Sequence, residues 1–267
     1  MRSTISSISN QKPPISFNSI SSEKRQLFFK ENGYTKPFSL NNISNVEILS
    51  KASKQYQQSR KEIKFSLLSP PFGDRKAHLF SKLVFDLATD TAILDALSSC
   101  LGPNILLWLG QVINKKAGDK GQAWHIDQTN WEVEGVHVSI AVTDMNLENG
   151  CLQVIPKTHH YQLSQAELEA QAKLSNASLW DGQAMVALAD RLHPENAPHQ
   201  LVSLEARAGH CYLKQGGLWH GVTRNTSYQL RSALVARYMR TDVLGRESNG
   251  KPLPSILIAG TDNAQKN

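Results

Sequence analysis

Trp124-His125-Ile126-Asp127 is where residue type and spacing write chemistry most directly in this sequence. On a β-strand, residues i and i+2 face the same side, so His125 and Asp127 can offer an imidazole and a carboxylate to one cation. A third donor, His220, follows 95 residues later in Leu218-Trp219-His220-Gly221, at the start of another strand-like stretch. Two imidazoles and one carboxylate on one face of an ion leave three positions open, the pattern of non-haem Fe(II) sites that activate O2. Arg231 comes 11 residues after His220 and opens a strand pattern over Ser232 to Tyr238. A guanidinium there can grip the far carboxylate of a dicarboxylic cosubstrate while the keto-acid end chelates the metal. Arg237 falls on the same strand face and is the second candidate for that grip.

These segments are similar to the phytanoyl-CoA hydroxylase-like (PhyH) family of Fe(II)/2-oxoglutarate-dependent dioxygenases, which share three ordered motifs. The family's W-H-x-D stands here as Trp124 to Asp127. Its E-N-G-C-L-x-V-I-P-G-S-H stands as Glu148-Asn149-Gly150-Cys151-Leu152-Gln153-Val154-Ile155-Pro156-Lys157-Thr158-His159, and its H-G-S-x-x-N-x-S-x-x-x-R as His220 to Ser227 with Arg231. Asn32-Gly33-Tyr34, Gly102-Pro103-Asn104 and the stretch from Gln111 to Lys115 extend the likeness over most of residues 22 to 240. The resemblance implies a double-stranded β-helix, a cupin-like jelly roll. It implies iron ligation by His125, Asp127 and His220, a hold on the C5 carboxylate of 2-oxoglutarate by Arg231, and a place for Gln111 beside that cosubstrate. Fe(II), 2-oxoglutarate and O2 are the implied cofactor and cosubstrates. Ile126 replaces a common Gln, Lys157 a Gly, and Val222 a Ser that often touches the cosubstrate, which makes Thr223 the candidate for the missing hydroxyl.

The expected activity is hydroxylation of an unactivated carbon of a small molecule, as in tailoring of a secondary metabolite. Desaturation, epoxidation and cyclisation use the same ligands. Halogenases of the family lack the carboxylate ligand, so Asp127 disfavours halogenation. A non-catalytic, cupin-like metal-binding module is the competing reading, and Arg231 argues against it because a structural site needs no dicarboxylate clamp. Trp131, Gln153 and Trp180 are the candidate substrate-binding residues. His137, His159, His160, His193, His199 and His210 have no partner at ligand spacing and read as surface or hydrogen-bonded histidines.

The elements that must position these residues follow from periodicity. Helices are predicted over Glu23 to Glu31, with a stop at Asn32-Gly33, over about residues 46 to 62, and over Leu79 to Leu101, closed by Gly102-Pro103. Past Pro103 the period changes. Ile105 to Ile113 reads as a buried strand, and Val136, Val138, Ile140 and Val142 alternate with His137, Ser139, Ala141 and Thr143. Cys151 to Ile155, Leu201 to Leu204, Gly209 to Leu213 and Ser232 to Tyr238 are further short strands. The fold class is α+β, a jelly roll with N-terminal helices packed on one face. Residues 1–20 read as a flexible tail, 21–245 as a single oxygenase domain and 246–267 as a C-terminal tail. Within the domain, residues 161–200 interrupt the strands with a capped helix at Ser164 to Glu167, and read as a lid-like insertion beside Trp131.

Composition narrows the partners. The chain has 267 residues, 40% hydrophobic, enough for one sizeable core. Its net charge of +6 is concentrated in residues 1–121, with 17 basic and 9 acidic side chains. Tyr56 is the only aromatic among Lys51, Lys54, Arg60, Lys61 and Lys64, so this basic stretch reads as a solvated helix face with no nucleic-acid partner. No apolar run approaches the ~18 residues of a membrane span. Three separated cysteines write neither a disulfide framework nor a zinc site, which points to a reducing, cytoplasmic setting. The expected partner is a small-molecule substrate, with the chain a monomer or homodimer.

Overall fold

The computed structural model describes residues 21–59, 74–127, 135–243, 245 and 251–261. Helix α1 (Ser22–Asn32) starts at Ser21, whose hydroxyl accepts from Lys24 N, and stops at Gly33, left-handed at φ 78°. A side chain at Gly33 would be strained at that φ and crowded, because a Cβ there would lie 2.5 Å from His159 Nδ1. Strand β1 (Phe38–Ser39) and helix α2 (Ile43–Ser59) follow. The predicted end of α2, residues 60 to 62, lies outside the described residues, as do Lys61, Lys64 and Trp131.

The single helix expected over Leu79 to Leu101 is three: α3 (Ala77–Phe80), α4 (Lys82–Ala88) and α5 (Thr91–Leu101). Ser81 turns extended between α3 and α4, and its hydroxyl accepts from Val84 N. Asp90 starts α5, its carboxylate accepting from the backbone amides of Ala92, Asn41 and Asn42. The apolar spacing survives both breaks because each piece lays its apolar side on the same core. Val84, Leu87, Ile93 and Leu97 are all fully buried there.

That core is the outer face of a six-stranded antiparallel sheet in the order β1-β7-β4-β9-β2-β10. Its strands are β2 (Ile105–Lys115), β4 (Val136–Ala141), β7 (His210–Gln215), β9 (Arg231–Arg240) and β10 (Ile256–Ala259), besides β1. A second sheet has the order β3-β8-β5-β6, from β3 (Gln122–His125), β5 (Leu152–Val154), β6 (Val202–Leu204) and β8 (His220–Val222). Two curled antiparallel sheets with helices on one outer face are the expected jelly roll. Strand β10, in a segment read as C-terminal tail, instead completes the edge of the larger sheet against Ile105 to Leu107.

Strand β4 is buried on both sides. Val136, Val138 and Ile140 meet the helices, while His137 and Ser139 line the space between the sheets. In β2 the register against β9 slips between Leu107 and Leu109. This bulge at Trp108 reverses the faces: Ile105 and Leu107 join the outer core, and Leu109, Gln111, Ile113 and Lys115 turn inward.

Between β5 and β6 the insertion forms α6 (Gln165–Leu174), with the predicted capping box at Ser164 and Glu167, and α7 (Gly182–Leu192), started by Asp181. Leu168, Ala172, Met185 and Leu188 pack with Trp124, Ile155 and Trp219 behind the smaller sheet. No helix among the described residues is long and apolar enough to cross a membrane.

Candidate metal centre

Strands β3 and β8 are antiparallel neighbours in a register that sets His125 directly opposite His220. Asp127 lies just past the end of β3, its amide donating to Gly216 O at 3.1 Å. One ligand atom from each of these three side chains lies within 4.8 Å of the other two.

Both imidazoles are fixed in the tautomer a metal needs. His125 Nδ1 donates to Ala123 O and His220 Nδ1 to Leu218 O, each at 2.7 Å, so each Nε2 carries the lone pair. Those Nε2 atoms approach the carboxylate of Asp127, at 3.7 Å from Oδ1 for His125 and 3.2 Å from Oδ2 for His220. Burial, then Lys214, pushes the His220 imidazole down to about 4, which keeps it neutral and able to ligate. Two imidazoles and a carboxylate converging on one point fit a divalent iron ion.

Asp127 is also the meeting point of a buried charge cluster. Lys214 Nζ lies 2.5 Å and His137 Nδ1 2.9 Å from Oδ2, and Arg237 donates to Oδ1 at 3.1 Å. Burial alone would raise the Asp127 carboxyl, but Lys214, His220 and His137 outweigh it and hold the group well below the usual carboxylate range. Burial, then Lys214 and Arg237, lowers His137 to about 3. A carboxylate has about four lone-pair sites, enough to keep these partners and ligate as well. His137, read from sequence as a hydrogen-bonded histidine, is a partner of Asp127, and Arg237 is too. Lys214 gave no sequence signal, because its place beside Asp127 depends on the pairing of β4 with β7.

These groups stand in the wall of a cavity of about 630 Å³ between the sheets. Arg231, Ala233, Val235 and Arg237 of β9 line it, as does Gln111 of β2. Arg231 is buried and donates from Nε and Nη2 to Gly150 O, at 3.2 and 2.8 Å, which fixes the plane of its fork. Lys115 is its cross-strand partner on β2 and also faces the cavity. Its ammonium donates to Thr223 O, and burial, then Arg231, lowers it to about 8. Lys115 carries no signal of this role in its sequence neighbourhood, since only the bulge at Trp108 turns it inward.

Three expected residues fall elsewhere. The Thr223 hydroxyl donates to Leu147 O at 3.2 Å, and Thr223 is not in the cavity wall. Gln153 alternates with inward-facing Leu152 and instead bonds Ser203 Oγ at 3.2 Å. Trp180 is 67% exposed, and no insertion residue lines the cavity.

The sequence profile of the phytanoyl-CoA dioxygenase (PhyH) family matches residues 29–233, which contain all three candidate ligands. The chain belongs to this family. PhyH proteins are Fe(II)/2-oxoglutarate-dependent dioxygenases that take O2 as second cosubstrate. A relative, dioxygenase af480 of Aspergillus fumigatus, is 27% identical over 230 residues, 81% of this chain and 66% of the relative. The chain thus spans just under two thirds of that relative's length. The PhyH fold is shared with the non-heme monooxygenase ThoJ, with a TM-score of 0.64 and 19% identity over 89% of this chain and 84% of that one. It is shared as well with the epimerase SnoN in complex with Fe3+, alpha ketoglutarate and nogalamycin RO, with a TM-score of 0.63 and 18% identity over 89% and 98% of the two chains.

Proposed function

We propose that this chain hydroxylates an unactivated carbon of a small molecule, as a tailoring step on a secondary metabolite. The observation that carries the reading is the cavity itself. It has His125, Asp127 and His220 in one part of its wall and a buried Arg231–Lys115 pair in another. Iron, when bound, supplies the activation of O2 with 2-oxoglutarate as reductant.

The chain's residues do the rest. The i−2 carbonyls aim both Nε2 lone pairs, and Lys214 and Arg237 fix the rotamer of Asp127. Arg231, with its plane set by Gly150, presents its remaining donors to the C5 carboxylate of 2-oxoglutarate. Lys115 adds the second charge, in place of the hydroxyl expected from Thr223. The two sheets flank the space in which the reacting carbon would sit. The remaining wall, with Arg75, Leu109 and Gln122, is the space for the substrate.

Turnover with Fe(II), 2-oxoglutarate and isotopically labelled O2 over a panel of small natural products tests this. A product that gains one labelled oxygen atom, with stoichiometric succinate, supports hydroxylation. A product that only loses two hydrogens, or only inverts a stereocentre as an epimerase would, replaces it.

A further inference from the structure

Behind the metal centre, on the far side of the smaller sheet, four side chains form an ordered series that the oxygenation chemistry does not use. Trp219 precedes His220 and is fully buried among Ile155, Leu168 and Leu188. Tyr161 meets it edge-on, with 6.1 Å between ring centroids and an interplanar angle of 80°. The Tyr161 hydroxyl is hydrogen-bonded to His199 Nε2, and His199 Nδ1 lies 2.7 Å from Asp190 Oδ1. A carboxylate can only accept, so Nδ1 carries the proton and Nε2 the lone pair that takes the Tyr161 hydroxyl. The His199 side chain is 2% exposed, whereas that of Asp190 is 34% exposed. The series therefore runs from the residue beside a metal ligand to the surface. None of the four lines the cavity.

A phenol bonded to an imidazole that is itself backed by a carboxylate can give up an electron and a proton together, because the proton has an acceptor already in place. Trp219 lacks such an acceptor, since its Nε1–H is buried with no partner among the described residues. An oxidised Trp219 ring would therefore hold its proton, and Tyr161, packed edge-on against it, is placed to return an electron.

Resting on the iron and 2-oxoglutarate reading above, we propose that Trp219, Tyr161, His199 and Asp190 form a relief path that drains the oxidant of the metal centre when no substrate carbon is in place. One electron passes from Trp219 to the oxidant generated from O2 and 2-oxoglutarate. Tyr161 returns an electron to Trp219, and its phenolic proton moves to His199 Nε2. The products are a neutral tyrosyl radical, an imidazolium facing the Asp190 carboxylate, and an oxidant reduced by one electron. A solution reductant of the ascorbate class then supplies one electron to the radical, and the proton returns from His199 to re-form the phenol; a second passage delivers the other electron, and two solvent protons complete the reduction of the oxygen atom to water.

The test exposes the full chain, loaded with Fe(II) and 2-oxoglutarate and without organic substrate, to O2. Frozen samples are read by electron paramagnetic resonance, and digested samples by peptide mass spectrometry. The wild type is expected to give a tyrosyl signal that Tyr161→Phe abolishes and His199→Gln lowers at least threefold. Oxidation of the Trp219 peptide, per 2-oxoglutarate consumed, is expected to rise at least threefold in Tyr161→Phe. Because Tyr161→Phe keeps the ring, a purely structural role for the series would leave both readouts unchanged. That result, an equal signal in Tyr161→Phe, or no signal in a wild type that consumes 2-oxoglutarate, overturns the relief path alone. A wild type that binds iron yet consumes no 2-oxoglutarate overturns the reading of the centre and the path with it.

Discussion

Asp127 gathers two cations and three imidazoles around one carboxylate, so its charge is secured before any ion arrives. Its neighbours His125 and His220 have no ligating role unless a metal is present. His220→Ala is therefore expected to abolish iron binding with little loss of stability, and metal analysis of the purified variant checks it. At the other end of the cavity, Arg231→Gln leaves a carboxylate with one partner fewer. Removal of one partner from a buried charge pair costs ~2 kcal/mol or more, so the Kd for 2-oxoglutarate should rise at least ~30-fold, read by calorimetry. Lys115 adds a pH dependence. Its ammonium, lowered to about 8, is charged below that pH and neutral above it. Affinity for 2-oxoglutarate should be flat below about 8 and weaken as the pH rises past it, as the carboxylate loses one cation. Lys115→Met should remove this dependence, and persistence of the slope in that variant would assign it to another group.

At the scale of elements, the helical pattern and the period-two strands were legible because apolar spacing reports which face is buried. The H-x-D pair was legible as an i, i+2 spacing, although Asp127 stands just past the end of β3, and distal His220 was legible from its place in the order of the family motifs. The bulge at Trp108 was not legible, since one extra residue in a uniformly apolar run leaves no mark in the pattern. With it went the inward turn of Lys115. Lys214 escaped because strand pairing placed it, and β10 because an edge strand of four residues looks like tail. Asp90 shows how a short break organises a helical pattern. Asp90→Ala strips the acceptor from three backbone amides and should cost ~2 kcal/mol, a fall of roughly 4 to 8 °C in Tm, with iron affinity unchanged. A loss of iron binding in that variant would mean that the helical layer and the metal centre are coupled.

At the scale of the molecule, two curled sheets enclose the chemistry, helices back the larger sheet, and the insertion backs the smaller one. Residues 161–200, expected to be a lid-like insertion, pack behind the smaller sheet and are tied to the metal loop by Gln165, which accepts from Ile126 N at 2.8 Å. Trp180→Ala should leave the Kd for 2-oxoglutarate and the rate of its consumption within about twofold, since an exposed ring outside the cavity wall removes little on truncation. On the proposed function, His125, Asp127 and His220 hold one iron ion and Arg231 secures the keto acid beside it. Anaerobic titration of the metal-free protein with Fe(II), followed by 2-oxoglutarate, tests it most directly. One iron per chain, and a visible charge-transfer band that appears only when 2-oxoglutarate is added and is absent in His220→Ala, is the result predicted. Binding of iron with no band, or an undiminished band in His220→Ala, would contradict it.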